Sequence, residues 1–294
     1  MSWIICTIIG ATLQTFRNLE QKYLNKKIDT LTVSWSRFIL PLPFALIVVF
    51  LTFHSASKEF VFYCAVTATF QIVGNLLLLR TIKFKNFSIG IALYKTEVLQ
   101  TMIIGLLFFH QQISLTGFAA IMVTVVGVIL MSNFTLKKNI KFFDSAAIFG
   151  ILSGLSFSIS AFNLKFASEV MMLGGYSVIK APLITLFWVI TFQNIIFFII
   201  KSSQKRFISD LKTLFSAENK LVFLKMGLLS FFGSAFWFIA FALGNVIYVK
   251  AVGQIEMVLA VMISHWHLKE KHKQREIWGI IVTSIGILAL IFFH

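Results

Sequence analysis

Apolar stretches of about 20 residues recur from one end of this chain to the other, and they constrain its fold more than any other feature. Each stretch is long enough to cross about 30 Å of hydrocarbon as an α-helix. Because 58% of the 294 residues are hydrophobic and 13% are charged, no segment remains for a separate soluble domain. Alternating strands of about ten residues, which a membrane barrel needs, are not found. The sequence therefore predicts an all-α integral membrane protein.

Ten membrane spans are predicted, and they are numbered 1 to 10 in chain order. They cover residues 3–21, 32–53, 60–79, 88–109, 113–133, 143–167, 177–200, 221–243, 246–267 and 276–293. The two cysteines, Cys6 and Cys64, lie inside spans without a CxxC partner. The sequence therefore predicts no disulfide framework and no cysteine metal site.

The net charge of +15 is distributed very unevenly between the spans. Basic residues cluster in the loops after odd-numbered spans, whereas the loops after even-numbered spans and both termini contain only Lys58. The positive-inside rule then places the odd loops in the cytoplasm and both termini on the opposite side of the cell (inner) membrane. Because the basic residues do not form one face studded with aromatic residues, no nucleic-acid partner is expected.

The two halves of the chain resemble each other weakly, which predicts an internal repeat. Residues 1–137 form the first predicted unit and residues 138–294 the second. The matching positions are Arg37 and Lys180, Pro41 and Pro182, Glu97 and Glu256, Gln111 and Glu270, and Gly127 and Gly286. Since each unit has five spans, the second unit must enter the membrane from the opposite side. Two inverted five-helix repeats are an architecture typical of alternating-access transporters.

This organisation resembles the ten-helix EamA-type members of the drug/metabolite transporter superfamily. The most specific match is Leu268–Lys271 followed by Gly279 and Gly286, which is similar to the family's gE…G…G ending. Where the family usually has Pro in spans 4 and 9, this chain has Glu97 and Glu256. The resemblance implies a multi-pass transporter and not an enzyme, with a substrate site between the repeats and no cofactor.

Two acidic and two basic side chains lie deep in spans 4 and 9. Glu97 and Glu256 are each about 14 Å along their spans, which is too deep for a short carboxylate to reach the headgroups. Lys95 and Lys250 cannot pair with them inside the same helix, because the spacings are i,i+2 and i,i+6. Two interpretations stay open. The four residues form ion pairs between helices, or the lysines line a polar cavity for a carboxylate or phosphate group while the glutamates couple transport to protons.

Further candidates are polar or basic residues in the neighbouring spans. The amides predicted to line the cavity with the two lysines are Gln71, Asn75, Asn163 and Gln193. Arg37 and Lys180 are second-rank candidates, as is Arg17, because a long basic side chain near a span end can instead extend to the headgroups. His265 and His267 are spaced i,i+2 and point to different helix faces, so no metal site is predicted.

The sequence thus predicts a secondary active transporter for a small polar or charged metabolite, such as an amino-acid-like compound or an organic anion. A GxxxxGK[ST] motif is not found, so a proton or an exchanged solute is expected to drive transport instead of ATP. The expected partners are the small-molecule substrate and the lipid bilayer, with the chain as a monomer or homodimer. The alternatives are a membrane-embedded enzyme, for which only His265, His267 and Glu270 are candidates, and a lipid-carrier flippase subunit.

Overall fold

A computed structural model describes residues 1–50, 56–84, 94–131, 145–215, 220–268 and 274–293. Within these ranges the regular elements are all α-helices. They are α1 (Ser2–Leu24), α2 (Thr30–Ile39), α3 (Leu42–Phe50), α4 (Lys58–Phe84), α5 (Glu97–Leu107), α6 (Leu115–Met131), α7 (Ser145–Leu173), α8 (Lys180–Ser203), α9 (Phe207–Leu214), α10 (Lys220–Leu243), α11 (Val246–Val252), α12 (Ile255–Leu268) and α13 (Gln274–Phe293). The start of span 4, the predicted repeat boundary at residues 137–138, and Glu270 lie outside the described residues.

Within the described ranges, seven helical stretches are long and apolar enough to cross a membrane. They are Thr30–Ile47, Lys58–Thr81, Ile148–Leu173, Lys180–Ser203, Leu221–Leu243, Val246–Ile263 and Gln274–Phe292. Glu97–Leu107 and Leu115–Leu130 are shorter apolar helices. The prediction of an all-α, multi-pass membrane protein is therefore confirmed. Helix α1 is not among the seven, and its second half carries the polar residues Gln14, Arg17 and Asn18. Ten crossings stay a prediction.

Three helix pairs make the most extensive contacts in the bundle. Helix α4 packs along α7, α6 along α13, and α1 along α10. Each pair joins one helix of the first half of the chain to one helix of the second half. Buried apolar side chains of both halves, among them Phe162, Phe231 and Ile247, fill one core between them. The two halves are therefore packed into each other along their length.

Glycine permits the close approach of α6 and α13. A Cβ atom on Gly286 would lie 2.6 Å from the backbone nitrogen of Thr124, and a Cβ atom on Gly127 would overlap the backbone of Thr283. The two contacts are reciprocal, because each glycine lies three residues after the threonine of its own helix. Side chains larger than hydrogen at either position would force the helices apart.

Three of the predicted spans are interrupted, and the prediction of continuous helices there is wrong. Span 2 breaks between α2 and α3 because Pro41 has no backbone N–H to donate to the preceding turn. Span 9 breaks at Gly253 between α11 and α12, and span 4 has a turn immediately before α5. The break in span 4 packs on Gly154, where an added Cβ would lie 3.0 Å from the carbonyl oxygen of Tyr94. Glu97 and Glu256 consequently lie at the starts of α5 and α12.

A buried polar cluster ties α2, α8 and α9 together. Lys201 was predicted to lie in a cytoplasmic loop, but it forms the last turn of α8 and is fully buried. Its Nζ atom donates to Asp210 Oδ2 at 2.5 Å and to Thr32 Oγ1 at 2.7 Å. Arg206 bonds Asp29, the residue that caps α2. Burial alone would raise the pKa of Asp29, but hydrogen bonds from Thr32 and the charges of Lys201 and Arg206 outweigh it and lower the pKa.

We expect Gly127→Ala and Gly286→Ala each to destabilise the protein by about 1–3 kcal/mol, because the new methyl group overlaps backbone atoms of the opposite helix. Thermal unfolding in detergent measures the effect. Gly233→Ala is the matched control, since a Cβ there meets its nearest neighbour at an ordinary 3.4 Å. Equal melting temperatures for all three variants would contradict the close α6–α13 contact.

Candidate functional site

Two ion pairs cross between the interrupted spans 4 and 9. Lys95 Nζ lies 2.7 Å from Glu256 Oε2, and Lys250 Nζ lies 3.0 Å from Glu97 Oε2. Each pair takes its lysine from one half of the chain and its glutamate from the other. All four side chains are buried. The charges at this depth are therefore neutralised across the interface between the two halves.

The helix breaks favour this arrangement of charge. Glu97 and Glu256 lie in the first turns of α5 and α12, where the positive end of the helix dipole stabilises an anion. Lys250 lies in the last turn of α11, where the negative end stabilises a cation. Because each break starts a new helix beside its glutamate, the carboxylate interacts with the helix dipole as well as with the lysine.

Helix α1 adds a second layer of hydrogen bonds around Glu256. Gln14 Nε2 donates to Glu256 Oε2 at 3.0 Å, and Asn18 Nδ2 donates to Glu256 Oε1 at 2.7 Å. Gln14 Oε1 in turn accepts a hydrogen bond of 3.1 Å from Arg17 Nη2. With Lys95, three donors converge on the Glu256 carboxylate, so both of its oxygens accept hydrogen bonds.

A cavity of about 50 Å³ adjoins the ion pairs. Its volume corresponds to roughly three to five water molecules. The polar part of its lining includes Gln14, Arg17, Asn18, Arg37, Gln71 and Lys250. The aromatic part consists of Tyr94, Phe157, Trp237, Phe238 and Phe241. The cavity therefore combines fixed positive charge with rings that exclude water from its walls.

Two arginines of this lining differ from the lysines, because no carboxylate among the described residues lies within ion-pair distance of them. Arg17 is 1% exposed. Its Nε and Nη1 atoms are buried, and no group in the described part of the chain accepts a hydrogen bond from them. Arg37 is half-buried, donates from Nη1 to Asn75 Oδ1 at 2.7 Å, and has its guanidinium carbon 5.7 Å from the centre of the Phe157 ring.

The charge at the site is unbalanced as a result. Arg17, Arg37, Lys95 and Lys250 are cations, whereas the two glutamates are the only described carboxylates paired with any of them. The group thus carries an excess of two positive charges. In the cluster around Lys201 and Arg206, by contrast, the two cations meet the two carboxylates of Asp29 and Asp210.

The structure brings most of the predicted site residues together but leaves two apart. Gln71 lines the cavity and accepts a hydrogen bond from Gln193, and Asn75 holds Arg37. Asn163 instead donates to the carbonyl oxygen of Ile159 in its own helix. Lys180 is exposed at the start of α8 and does not line the cavity.

Sequence reasoning missed the contribution of α1 and placed Arg17 among the second-rank candidates. A usable signal was present, because Gln14, Arg17 and Asn18 are spaced i, i+3, i+4 and must share one helix face. A polar stripe inside a membrane helix faces the bundle and not the lipid. The ring of Trp237, which the sequence did not single out as a candidate, also lines the cavity.

The described residues contain no group of three His, Cys, Asp or Glu side chains placed to hold a metal ion. The side chains of His265 and His267, the candidates for an enzyme site, lie outside the described part of the structure, as does Glu270. The groups that the cavity presents are paired charges, amides, guanidinium groups and aromatic rings. Such a set is suited to binding and orienting a polar molecule.

Comparison with known proteins identifies a family for the first part of the chain. Residues 1–133 match the sequence model of the EamA-like transporter family, which belongs to the drug/metabolite transporter superfamily. The predicted family is therefore confirmed over residues 1–133. Members of this family are membrane transporters. No curated protein sequence gives a significant match.

A solved structure also matches nearly the whole chain. It is described only as the crystal structure of a protein, and it superposes with a TM-score of 0.68 at 9% sequence identity. The match covers 98% of this chain and 99% of the other. At that identity it shows a shared fold alone, and this fold extends through the second half, which the family match does not reach.

We expect a double-mutant cycle to reveal the dependence of Lys250 and Glu97 on each other. Glu97→Gln or Lys250→Met alone should cost about 3–5 kcal/mol, because each leaves a buried unpaired charge, whereas the double variant should recover most of that loss. Unfolding in detergent provides the measurement. The same cycle on the more exposed pair Lys225 and Glu20, whose atoms are 2.6 Å apart, should stay within about 1 kcal/mol. Additive losses at Lys250 and Glu97 would refute the coupling.

Proposed function

We propose that this EamA-type chain is a secondary active transporter that moves a small polar or charged metabolite across the cell (inner) membrane by alternating access. The observation that carries the proposal is the charged cavity beside the crossed ion pairs, at the point where spans 4 and 9 are both interrupted. Interrupted helices at mid-membrane are the usual way in which transporters bring helix ends and polar groups to a substrate.

The proposal includes ten spans arranged as two inverted five-span repeats. Exchanging the first five spans with the last five converts the pair α4–α7 into α10–α1 and leaves the pair α6–α13 unchanged. In each ion pair a lysine of span 4 or 9 meets the glutamate of the other span, so the exchange preserves this pattern, although Lys95 and Lys250 lie at different distances from the glutamates of their own spans. The reciprocal contacts of Gly127 and Gly286 follow the same rule. These contacts support a pseudo-twofold relation between the repeats.

In the proposed mechanism one repeat rocks against the other around spans 4 and 9. The crossed ion pairs are suited to be the pivot, because each joins both repeats and both lie next to the cavity. Glu97 and Glu256 are also the groups through which protons would couple to transport, since protonation of either would release its lysine to interact with a substrate. Exchange of one solute for another is the alternative form of coupling.

We expect the purified chain in proteoliposomes to take up at least one labelled solute from a pooled metabolite set and to show counterflow. The measurement is made with and without a pH gradient. Glu256→Gln should abolish any dependence of transport on the pH gradient, because a glutamine beside Lys95 cannot bind and release a proton. Lys225→Gln, away from the cavity, is the control and should transport normally. A folded protein that moves no solute under either condition would contradict the proposal.

The orientation is testable separately. Single cysteines introduced at Ser2 and Phe292, in a background with Cys6 and Cys64 replaced by serine, should react with a membrane-impermeant maleimide in intact cells or spheroplasts. The reason is that the positive-inside rule places both ends of the chain outside the cytoplasm. A cysteine at Lys205, in the basic loop after α8, should be protected until the membrane is opened. The reverse pattern of labelling would refute this orientation.

A further inference from the structure

Burying the guanidinium group of Arg17 costs free energy that its contacts with the surrounding residues do not offset. Of its three nitrogen atoms, only Nη2 has a partner among the described residues, the Oε1 atom of Gln14. Placing a charge within the membrane costs several kcal/mol unless an anion or strong hydrogen bonds accompany it. Gln14 links Arg17 to the carboxylate of Glu256, but that carboxylate already accepts hydrogen bonds from Lys95, Gln14 and Asn18. Arg17 thus has donors to spare in the cavity that it lines.

A second buried donor without a partner belongs to the same cavity. The indole Nε1 of Trp237 on α10 is buried and makes no hydrogen bond to any residue that the structure describes. Its ring is held in place by stacking on Phe241, with ring centres 5.4 Å apart, and by close contact with Gly253 and Gly10. A donor on a ring fixed in this way is pre-organised for an acceptor brought by a ligand. This hydrogen bond requires an acceptor oxygen on the ligand, whether or not that oxygen is charged.

We propose that Arg17, Arg37 and Trp237 form an oxyanion subsite that binds the carboxylate or phosphate group of a small dianionic metabolite. The inference rests on the proposed function for its role in transport, but binding can be tested without transport. It assigns anion recognition to the two arginines, whereas the two lysines serve the ion pairs with Glu97 and Glu256. Arginine suits this task because its planar fork of donors matches the geometry of oxyanions.

The charge of the ligand follows from the imbalance at the site. With both glutamates ionised, the four cations leave two positive charges without a counter-charge in the protein. A dianion such as a phosphate monoester or a dicarboxylate would neutralise the cavity, whereas a cation would raise its charge further. A neutral solute would leave both arginines uncompensated. The apolar rings of Phe157 and Phe241 lower the local dielectric and so strengthen the preference.

The test is equilibrium binding to the purified full-length chain in detergent. Thermal unfolding is followed while the concentration of inorganic phosphate, glycerol 3-phosphate or succinate is raised stepwise. The ionic strength is kept constant with chloride. Each dianion that binds should raise the melting temperature in a saturable manner, because ligand binding to the folded state stabilises it. Glycerol and the diamine putrescine should not. The responses to glycerol 3-phosphate and succinate distinguish a phosphate from a dicarboxylate ligand.

Arg17→Gln is the decisive variant. It should weaken dianion binding by about tenfold to a hundredfold, as expected for loss of a charge-assisted contact. It should also raise the melting temperature of the ligand-free protein, since a buried charge without a counter-ion is removed. A residue with only a structural role would instead lower that temperature. Arg17→Lys keeps the charge but not the fork, and binding should fall between wild type and Arg17→Gln.

Trp237→Phe keeps an aromatic ring at this position but removes the N–H donor together with the five-membered part of the indole. It should weaken binding by about threefold to tenfold, in line with loss of one neutral hydrogen bond. Lys225→Gln removes a basic residue outside the cavity and should leave binding unchanged. Equal stabilisation by glycerol and glycerol 3-phosphate, or dianion binding that survives Arg17→Gln undiminished, would overturn the proposal.

The outcomes separate this inference from the proposed function. Saturable dianion binding that depends on Arg17, together with proteoliposomes that move no solute, would support the subsite and contradict transport. Uptake and counterflow of a neutral or cationic solute, together with no dianion binding, would support transport and overturn the subsite. The same purified protein serves both measurements, so neither result depends on a second preparation.

Discussion

The crossed pairs of Lys95 with Glu256 and Lys250 with Glu97 are the constraint on which the rest of the bundle depends. Carboxylates at this depth need a cation, and neither glutamate pairs with the lysine of its own span. The partner of each comes from the opposite half of the chain. This pairing holds spans 4 and 9 side by side, with α1, α7 and α10 packed against them. Stability and the formation of the cavity thus have a common cause.

The helix breaks are the means by which the backbone accommodates these charges. At Gly253 and beside Gly154 the helices approach other elements at distances that a side chain would prevent. Each break starts a new helix beneath a glutamate, so the helix dipole adds to the stabilisation of the ion pair. The contact at Gly253 also fixes Trp237 against the cavity. These glycines, which the sequence alone would assign to helix packing, therefore help to form the site.

Several of these features could be predicted from the sequence, for physical reasons that differ between residues. Glu97 and Glu256 were identifiable because a short acidic side chain cannot reach the headgroups from mid-span. Arg17 was not singled out, because a long basic side chain near a span end has an alternative that is equally consistent with its position. The breaks in spans 4 and 9 were missed because hydropathy continues across them, and only Gly253 marked one of them. Which of the two lysines meets which glutamate depends on tertiary packing and is not encoded in local spacing.

The balance of charge separates the parts of the bundle that hold it together from the part suited to bind a ligand. Around Lys201 the cations and carboxylates are equal in number and in direct contact, so that cluster needs no further ion. At the cavity the lysines and glutamates are similarly matched, but Arg17 and Arg37 are added without acids. A fold optimised for stability alone would replace such a buried arginine with an apolar residue. Its presence beside unpaired donors is explained if the missing counter-charge arrives with the molecule that the site binds.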